Sequence, residues 1–252
     1  IARLNKSKAK REHYQKKFDE LRFNLSRSLP HEIRTPLSVI LGYSEILQRS
    51  WKSLSEEDTT DMLENIHSSA KRLHRVFEKY LFYAGLELIA SNEKEIARLK
   101  EKITPSANAV IADVCQRYGE EYARINDVCA EVTDAGISMS EDYFNLICEE
   151  IIDNALKYSK KESQIKVIAE PRGSKFVFSV MNYGRGMTQK QISEIGAYIQ
   201  FDRLKHEQQG LGLGLAIVKK IVDLHGGEFS IDSEIEYFTT VSVELPIFEE
   251  NY

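Results

Sequence analysis

The chain has 252 residues, 42% of them hydrophobic, and its 34 basic against 39 acidic side chains leave a formal net charge of −5. That length suits about two domains of ~100 to 150 residues each, and the apolar share suffices for packed cores. No stretch approaches the roughly 18 to 20 uninterrupted apolar residues of a bilayer-spanning helix, and the N-terminus lacks a signal-peptide pattern, so we expect a soluble, cytoplasmic chain with no membrane segment of its own.

The first thirty residues carry nine Lys or Arg against three acidic residues, a net of +6 that leaves −11 on the rest. A basic arm suits nucleic acid or anionic lipid. However, Leu4, Phe18, Leu21 and Leu25 sit near coiled-coil positions, so the lysines read better as a solvated helical face. We therefore expect residues 1–28 to form an N-terminal signalling helix or coiled coil, with no nucleic-acid partner.

Residues 29–103 read as a long helical hairpin. Leu29, Ile33, Leu37, Ile40 and Leu47 recur at three- and four-residue steps or their sum, as do Ile66, Leu73, Phe77, Tyr80, Ala84 and Leu88. Between them, Ser55 followed three residues later by Asp58 marks a helix cap. Two helices bury too little apolar surface to stand alone, so the hairpin is expected to pair with its copy as a four-helix bundle. At ~100° per residue His31 lies about 200° from both Leu29 and Ile33, which turns its imidazole to water. Thr35 lies one turn further along the same face, and Pro36 removes the helical donor for the Glu32 carbonyl, which predicts a bend there.

Glycine marks the change of architecture. Residues 1–103 hold only Gly42 and Gly85 of the thirteen glycines, and Thr104, Pro105 and Ser106 form the boundary. Residues 104–252 then alternate: a helix over Ala107 to Tyr122, a strand near Asp127 to Val132, a helix from Ser140 to Tyr158, strands at Gln164 to Glu170 and Lys175 to Met181 around a turn at Pro171, Arg172 and Gly173, a loop-rich region, a helix over Leu213 to Leu224, and a hairpin of Glu228 to Ser233 with Thr239 to Leu245. This predicts an α/β sandwich on a mixed, largely antiparallel sheet. It fits neither a P-loop nor a Rossmann protein, because GxxxxGK[ST] is absent and GLGLGL does not follow a strand within a βαβ unit. Cys115, Cys129 and Cys148 are scattered without CxxC or metal-ligand spacing, which suggests buried free thiols in a reducing cytosol.

Three segments in this order carry a resemblance: HEIRTPL at His31 to Leu37, EEIIDNALKYS at Glu149 to Ser159, and GLGLGLAIVKKIVDLHGG at Gly210 to Gly227. Together they resemble the core of a sensor histidine kinase, in which a histidine on a helical dimerisation domain takes a phosphoryl group from ATP and passes it to an aspartate of a response regulator. The resemblance implies a Bergerat-type ATP-binding domain over 104–252, a homodimer, a response-regulator receiver domain as partner, and ATP with Mg²⁺ as cofactors. Because the chain opens on Ile1 inside a helical pattern, it reads as a piece of a longer protein whose upstream sensory domain is missing.

By resemblance His31 is the phosphoacceptor, Glu32 orients the imidazole and takes its proton, and Thr35 completes an HExxT pattern linked to dephosphorylation of the regulator. Glu150, Asn154, Lys157 and Tyr158 share one helical face by their spacing. The resemblance gives Asn154 to the Mg²⁺, Lys157 and Tyr158 to the phosphates, and Glu150 to a metal-bound water. Gly210, Leu211, Gly212, Leu213 and Gly214 form the second glycine box, whose amides and helix N-terminus suit phosphate while the leucines pack. Met187 to Gln209 reads as a lid over ATP, with Phe201, Asp202 and Arg203 docking it and Arg203 reaching a phosphate.

Two positions depart from the family. Pro30 stands where most members have serine, which disfavours helical geometry at Leu29. The first glycine box, normally DxGxG, reads Asn182, Tyr183, Gly184, Arg185, Gly186. Its aspartate accepts a hydrogen bond from the adenine amino group; asparagine keeps an acceptor but loses the charge, a difference of roughly 1 to 2 kcal/mol, or about five- to thirtyfold in nucleotide affinity. The alternatives are a catalytically degenerate dimeric scaffold that binds a response regulator, supported by Asn182 alone, and a Bergerat-fold ATPase driving conformational change, which leaves HEIRTPL unexplained.

Overall fold

The structure, a computed structural model, describes residues 33–195 and 213–248. They fall into two compact units, one ending at Gly85 and one beginning at Leu86.

The first unit is helical. Helix α1 covers residues 33–50 and α2 spans Glu56–Ala90, whose last turn belongs to the second unit. The expected cap is present: the Asp58 N–H donates to Ser55 Oγ at 3.0 Å and Ser55 Oγ donates to the Asp58 carboxylate at 2.6 Å. Glu56, Glu57 and Asp58 place negative charge on the positive end of the helix dipole. Along α2 the less exposed positions run Thr59, Met62, Ile66, Ser69, Leu73, Val76, Tyr80 and Tyr83, in alternating three- and four-residue steps. A second apolar set on the hairpin stays exposed: Leu37, Leu41 and Ile46 on α1, and Leu63, Phe77, Leu81 and Leu88 on α2. Leu37, Phe77 and Leu88, expected on the seam, are thus uncovered in the single chain. The bend expected at Pro36 turns on Glu32, which lies outside the described residues, as do residues 1–30 and His31.

The second unit opens with α3 (Glu93–Lys100), capped by Asn92, whose side chain accepts from the Lys94 N–H. Then come α4 (Ala107–Glu121), a 3₁₀ turn (Ile125–Asp127), β1 (Val128–Val132), α5 (Glu141–Tyr158), β2 (Ile165–Arg172), β3 (Lys175–Tyr183), α6 (Gln189–Glu194), α7 (Leu213–His225), β4 (Glu228–Glu234) and β5 (Phe238–Pro246). The five strands run β1-β2-β3-β5-β4; β1 and β2 are parallel and the other neighbours antiparallel, as expected.

Period-two alternation sorts the sheet residues. Ile165, Val167 and Ala169 on β2, Phe176, Phe178, Val180 and Asn182 on β3, and Val241, Val243 and Leu245 on β5 are buried, while their neighbours are more exposed. Phe144 of α5 meets Phe176 and Phe178 edge-on, with centroids 6.2 and 6.1 Å apart. Asn182 is the polar residue in this buried series, so β3 carries one amide into the helix-facing layer.

Three local details differ from expectation. The β2–β3 turn is tighter, at Gly173 and Ser174 with Gly173 at φ +61°, because Arg172 and Lys175 already pair. Pro171 is tolerated in the strand since β1 pairing ends at Ala169. The segment expected to be loop from Met187 holds α6, started by a capping box in which Thr188 Oγ1 accepts from the Gln191 N–H and Gln191 Oε1 accepts from the Thr188 N–H. Cys129 is exposed on β1, whereas Cys115 and Cys148 are buried free thiols that burial pushes up, Cys115 to about 11.

His225, at the end of α7, is 2% exposed; its Nδ1 donates to the Ile221 carbonyl at 2.8 Å and its Nε2 has no partner. Burial holds its pKa below the usual 6.5, aided by the Lys100 charge and opposed by the Ile221 bond. The unfolded chain therefore takes up a proton near pH 6.5 that the folded chain refuses, and stability falls as pH drops from there toward the depressed folded value. Thermal unfolding across that window should show this loss, and His225→Leu should flatten it; an equal slope in parent and variant would refute the assignment.

Candidate functional site

A cleft opens between α5 and the helix-facing side of the sheet. Helix α5 contributes Ile151, Asn154, Ala155 and Tyr158; β3 contributes Val180 and Asn182; β5 contributes Thr239 and Val241. Arg185, Gly186 and Met187 follow β3, and Leu215 comes from α7. Among the described residues of this lining, Arg185 is the one formally charged side chain and none is a carboxylate.

The helical wheel explains which α5 residues arrive. At ~100° per residue, Ile151, Asn154, Ala155 and Tyr158 fall within an arc of about 100°, with Glu150 and Lys157 roughly 40° and 60° beyond its edge. Glu150 is buried at 7% exposure and lies against Gly214, where an added Cβ would run into its carboxylate. Lys157 is exposed, with its Nζ 5.3 Å from the centre of the Tyr158 ring. The four polar residues expected to act together thus divide: Asn154 and Tyr158 line the cleft, and Glu150 and Lys157 flank it.

Asn154 is oriented by its own helix. Its Nδ2 donates to the Glu150 carbonyl at 2.7 Å, which leaves Oδ1 as the free end of the amide. The C-terminus of α5 is held by Arg124, whose guanidinium pairs with Asp127 at 2.6 Å and donates to the carbonyls of Leu156, Lys160 and Ser163 and to Ser159 Oγ. These bonds satisfy carbonyls left open at the helix end and fix the turn that carries Tyr158.

The first glycine box is shaped by close backbone approach. A Cβ on Gly184 would strike the Tyr158 carbonyl, and one on Gly186, at φ +67°, would strike the Glu234 carbonyl. Both glycines let β3 end between α5 and the β4–β5 turn, and that junction aims Asn182 at the cleft.

Asn182 and Thr239 are cross-strand partners, so their side chains share a face. Ser233 Oγ accepts from the Met187 N–H at 2.8 Å, donates to the Phe238 carbonyl at 2.7 Å, and lies 2.8 Å from Thr239 Oγ1. In the Ser233–Thr239 bond either hydroxyl can donate, and in both cases Thr239 Oγ1 keeps a lone pair for the cleft.

Of the other expected site residues, Thr35 is exposed on α1, Leu213 opens α7 half-buried, and Gly214 is buried in its first turn. His31, Glu32, Phe201, Asp202, Arg203, Gly210, Leu211 and Gly212 lie outside the described residues. Sequence reasoning missed Thr239 and the apolar wall of Ile151, Val180 and Val241. Alternation on β3 and β5 was the available signal for the wall.

Two families match the chain. Residues 22–88 match the His Kinase A (phospho-acceptor) domain, and residues 139–249 match the histidine kinase-, DNA gyrase B- and HSP90-like ATPase. Sensor histidine kinase YvrG of Bacillus subtilis is 28% identical over 244 residues, 95% of this chain but 40% of its own length. Sensor protein KdpD of Clostridium acetobutylicum is 26% identical over 83% of this chain and 23% of its own length. The chain thus spans well under half of these relatives. In fold it resembles histidine kinase ThkA, solved in complex with response regulator protein TrrA (TM-score 0.67, 22% identity, 100% of this chain and 68% of that one). It also resembles Acinetobacter baumannii histidine kinase AdeS (TM-score 0.63, 16% identity, 87% and 98%). A phosphoacceptor match followed by an ATPase match, with a sensor kinase aligned along nearly the whole chain, places this protein in the sensor histidine kinase family.

Proposed function

We propose that the chain transfers the γ-phosphoryl group of ATP to His31 and then to an aspartate of a response-regulator receiver domain. The observation that carries this is the junction in one chain of a phosphoacceptor match containing HEIRTPL with an ATPase match containing a formed cleft. Asn182 and Thr239 supply polar contacts for a base, the apolar wall excludes water from it, and Tyr158 with Arg185 faces the nucleotide from the end of α5 and β3. A nitrogen of neutral His31 attacks the γ-phosphorus, the bond to the β–γ bridging oxygen breaks, ADP leaves, and Glu32 takes the imidazole proton. Asn154 Oδ1 is a neutral hard oxygen suited to Mg²⁺ held jointly with phosphates, and the ion would supply charge neutralisation. Among the described residues no group of three His, Cys, Asp or Glu side chains forms a separate metal cage.

A homodimer fits the exposed stripe of Leu63, Phe77, Leu81 and Leu88, which a second hairpin would cover. A cytoplasmic setting suits ATP use and free thiols, and an upstream sensory domain fits the span of the relatives that this chain does not match. The exposed Thr35 suits positioning of water during regulator dephosphorylation. Incubation with γ-labelled ATP and Mg²⁺ tests the proposal: label on the protein that is lost in acid and kept in base is expected. Free phosphate alone would mean an ATPase, and neither product a scaffold.

A further inference from the structure

We propose that the base pocket accepts 6-oxopurine nucleoside triphosphates as well as ATP, a broader donor class that rests on the ATP-binding reading above. The carrier is Asn182. It is 6% exposed, it lines the cleft, and no described protein group hydrogen-bonds its side chain. Its amide is not sealed away either, because His225 Nε2 is the one fully buried unpartnered side-chain atom among the described residues. An amide that the protein leaves unpaired yet reachable from the cleft is open to be met by what enters it.

An amide carries a donor and an acceptor side by side. A 6-aminopurine presents an amino donor at C6 beside the ring acceptor N1; a 6-oxopurine presents the reverse, a carbonyl acceptor beside N1–H. Half a turn about the last side-chain torsion exchanges the two ends of Asn182, and no protein bond holds it in either setting. Thr239, its cross-strand neighbour, keeps a lone pair available whichever of it and Ser233 donates in the bond between them. That lone pair can accept from the adenine amino group or from N1–H. A carboxylate at position 182 would have acceptors alone, so it would favour the amino group and face the lone pairs of a carbonyl. With no carboxylate in the described lining, nothing there repels an oxygen at C6.

The test is calorimetry of the full chain with ATP and with inosine triphosphate, on the parent and on Asn182→Asp. The parent should bind the two within about tenfold of each other, since each base finds the same number of neutral partners. Asn182→Asp should tighten ATP by about five- to thirtyfold and weaken inosine triphosphate, opening the ratio between them. ATP binding by the parent with inosine triphosphate rejected by more than about a hundredfold would overturn this inference alone, and needs no variant. Failure to bind either nucleotide would sink the ATP-binding reading and this inference with it. An unchanged ratio in a folded Asn182→Asp protein would show that residue 182 does not read the base.

Discussion

His31→Gln should take up no label from γ-labelled ATP and yet bind ATP with the affinity of the parent. The glutamine amide has no nucleophilic nitrogen to attack phosphorus, so the loss is complete rather than partial. Nucleotide binding should survive because the described cleft draws its whole lining from residues 151–241, and the matched ATPase segment begins at residue 139. Label incorporation and calorimetry on the same preparation read the two properties separately. A large drop in ATP affinity would count against housing acceptor and nucleotide in different domains, and residual acid-labile label would point to another histidine.

Gly186→Ala should be among the most destabilising single-methyl additions in the α/β unit. Its backbone is at φ +67°, where a Cβ costs about 1 to 2 kcal/mol, and the new methyl would strike the Glu234 carbonyl, an overpacking term of about 1 to 3 kcal/mol. The total of roughly 2 to 5 kcal/mol corresponds to a fall in Tm of about 4 to 20 °C at ~2 to 4 °C per kcal/mol. Gly214→Ala is the contrast, since the added atom meets the far end of the Glu150 side chain, which can move aside. Differential scanning calorimetry should rank the two clearly. Equal and small shifts would mean that the junction of β3 with the β4–β5 turn yields easily and does not hold Asn182 in place.

How far the site could be read from the residues depended on what each signal measures. Strand and helix identities in 104–252 followed from periodicity and were recovered within a few residues, as was the Ser55 cap, because these are local properties. Helix α6 escaped because six residues are too few for an apolar period; its Thr188–Gln191 capping box was the legible mark. Motif and spacing both grouped Asn154 and Tyr158 with Glu150 and Lys157, and the helical rotation that puts the first two in the cleft lining and the others at its flank is too small for a motif to resolve. Thr239 was invisible for a different reason. It reaches Asn182 through β3–β5 register, and its hydroxyl is held by Ser233 from the neighbouring strand. No local pattern encodes either fact.

The hairpin teaches the complementary lesson. Its periodicity predicts one seam, but α2 has two apolar stripes, a half-buried one through Met62, Ile66, Leu73 and Val76 and an exposed one through Leu63, Phe77, Leu81 and Leu88. In the proposed homodimer one stripe would pack within the hairpin and the other against a second copy, and composition along a single helix does not assign them.

Phosphorylation of His31 by the ATP-binding domain can be tested by mapping the modified residue. The chain is incubated with ATP and Mg²⁺, digested at alkaline pH where a phosphoramidate survives, and analysed by peptide mass spectrometry. One phosphoryl group is expected on the peptide containing His31, absent when the digest is acidified. Phosphate on a serine, threonine or tyrosine, or on a histidine outside HEIRTPL, would contradict it.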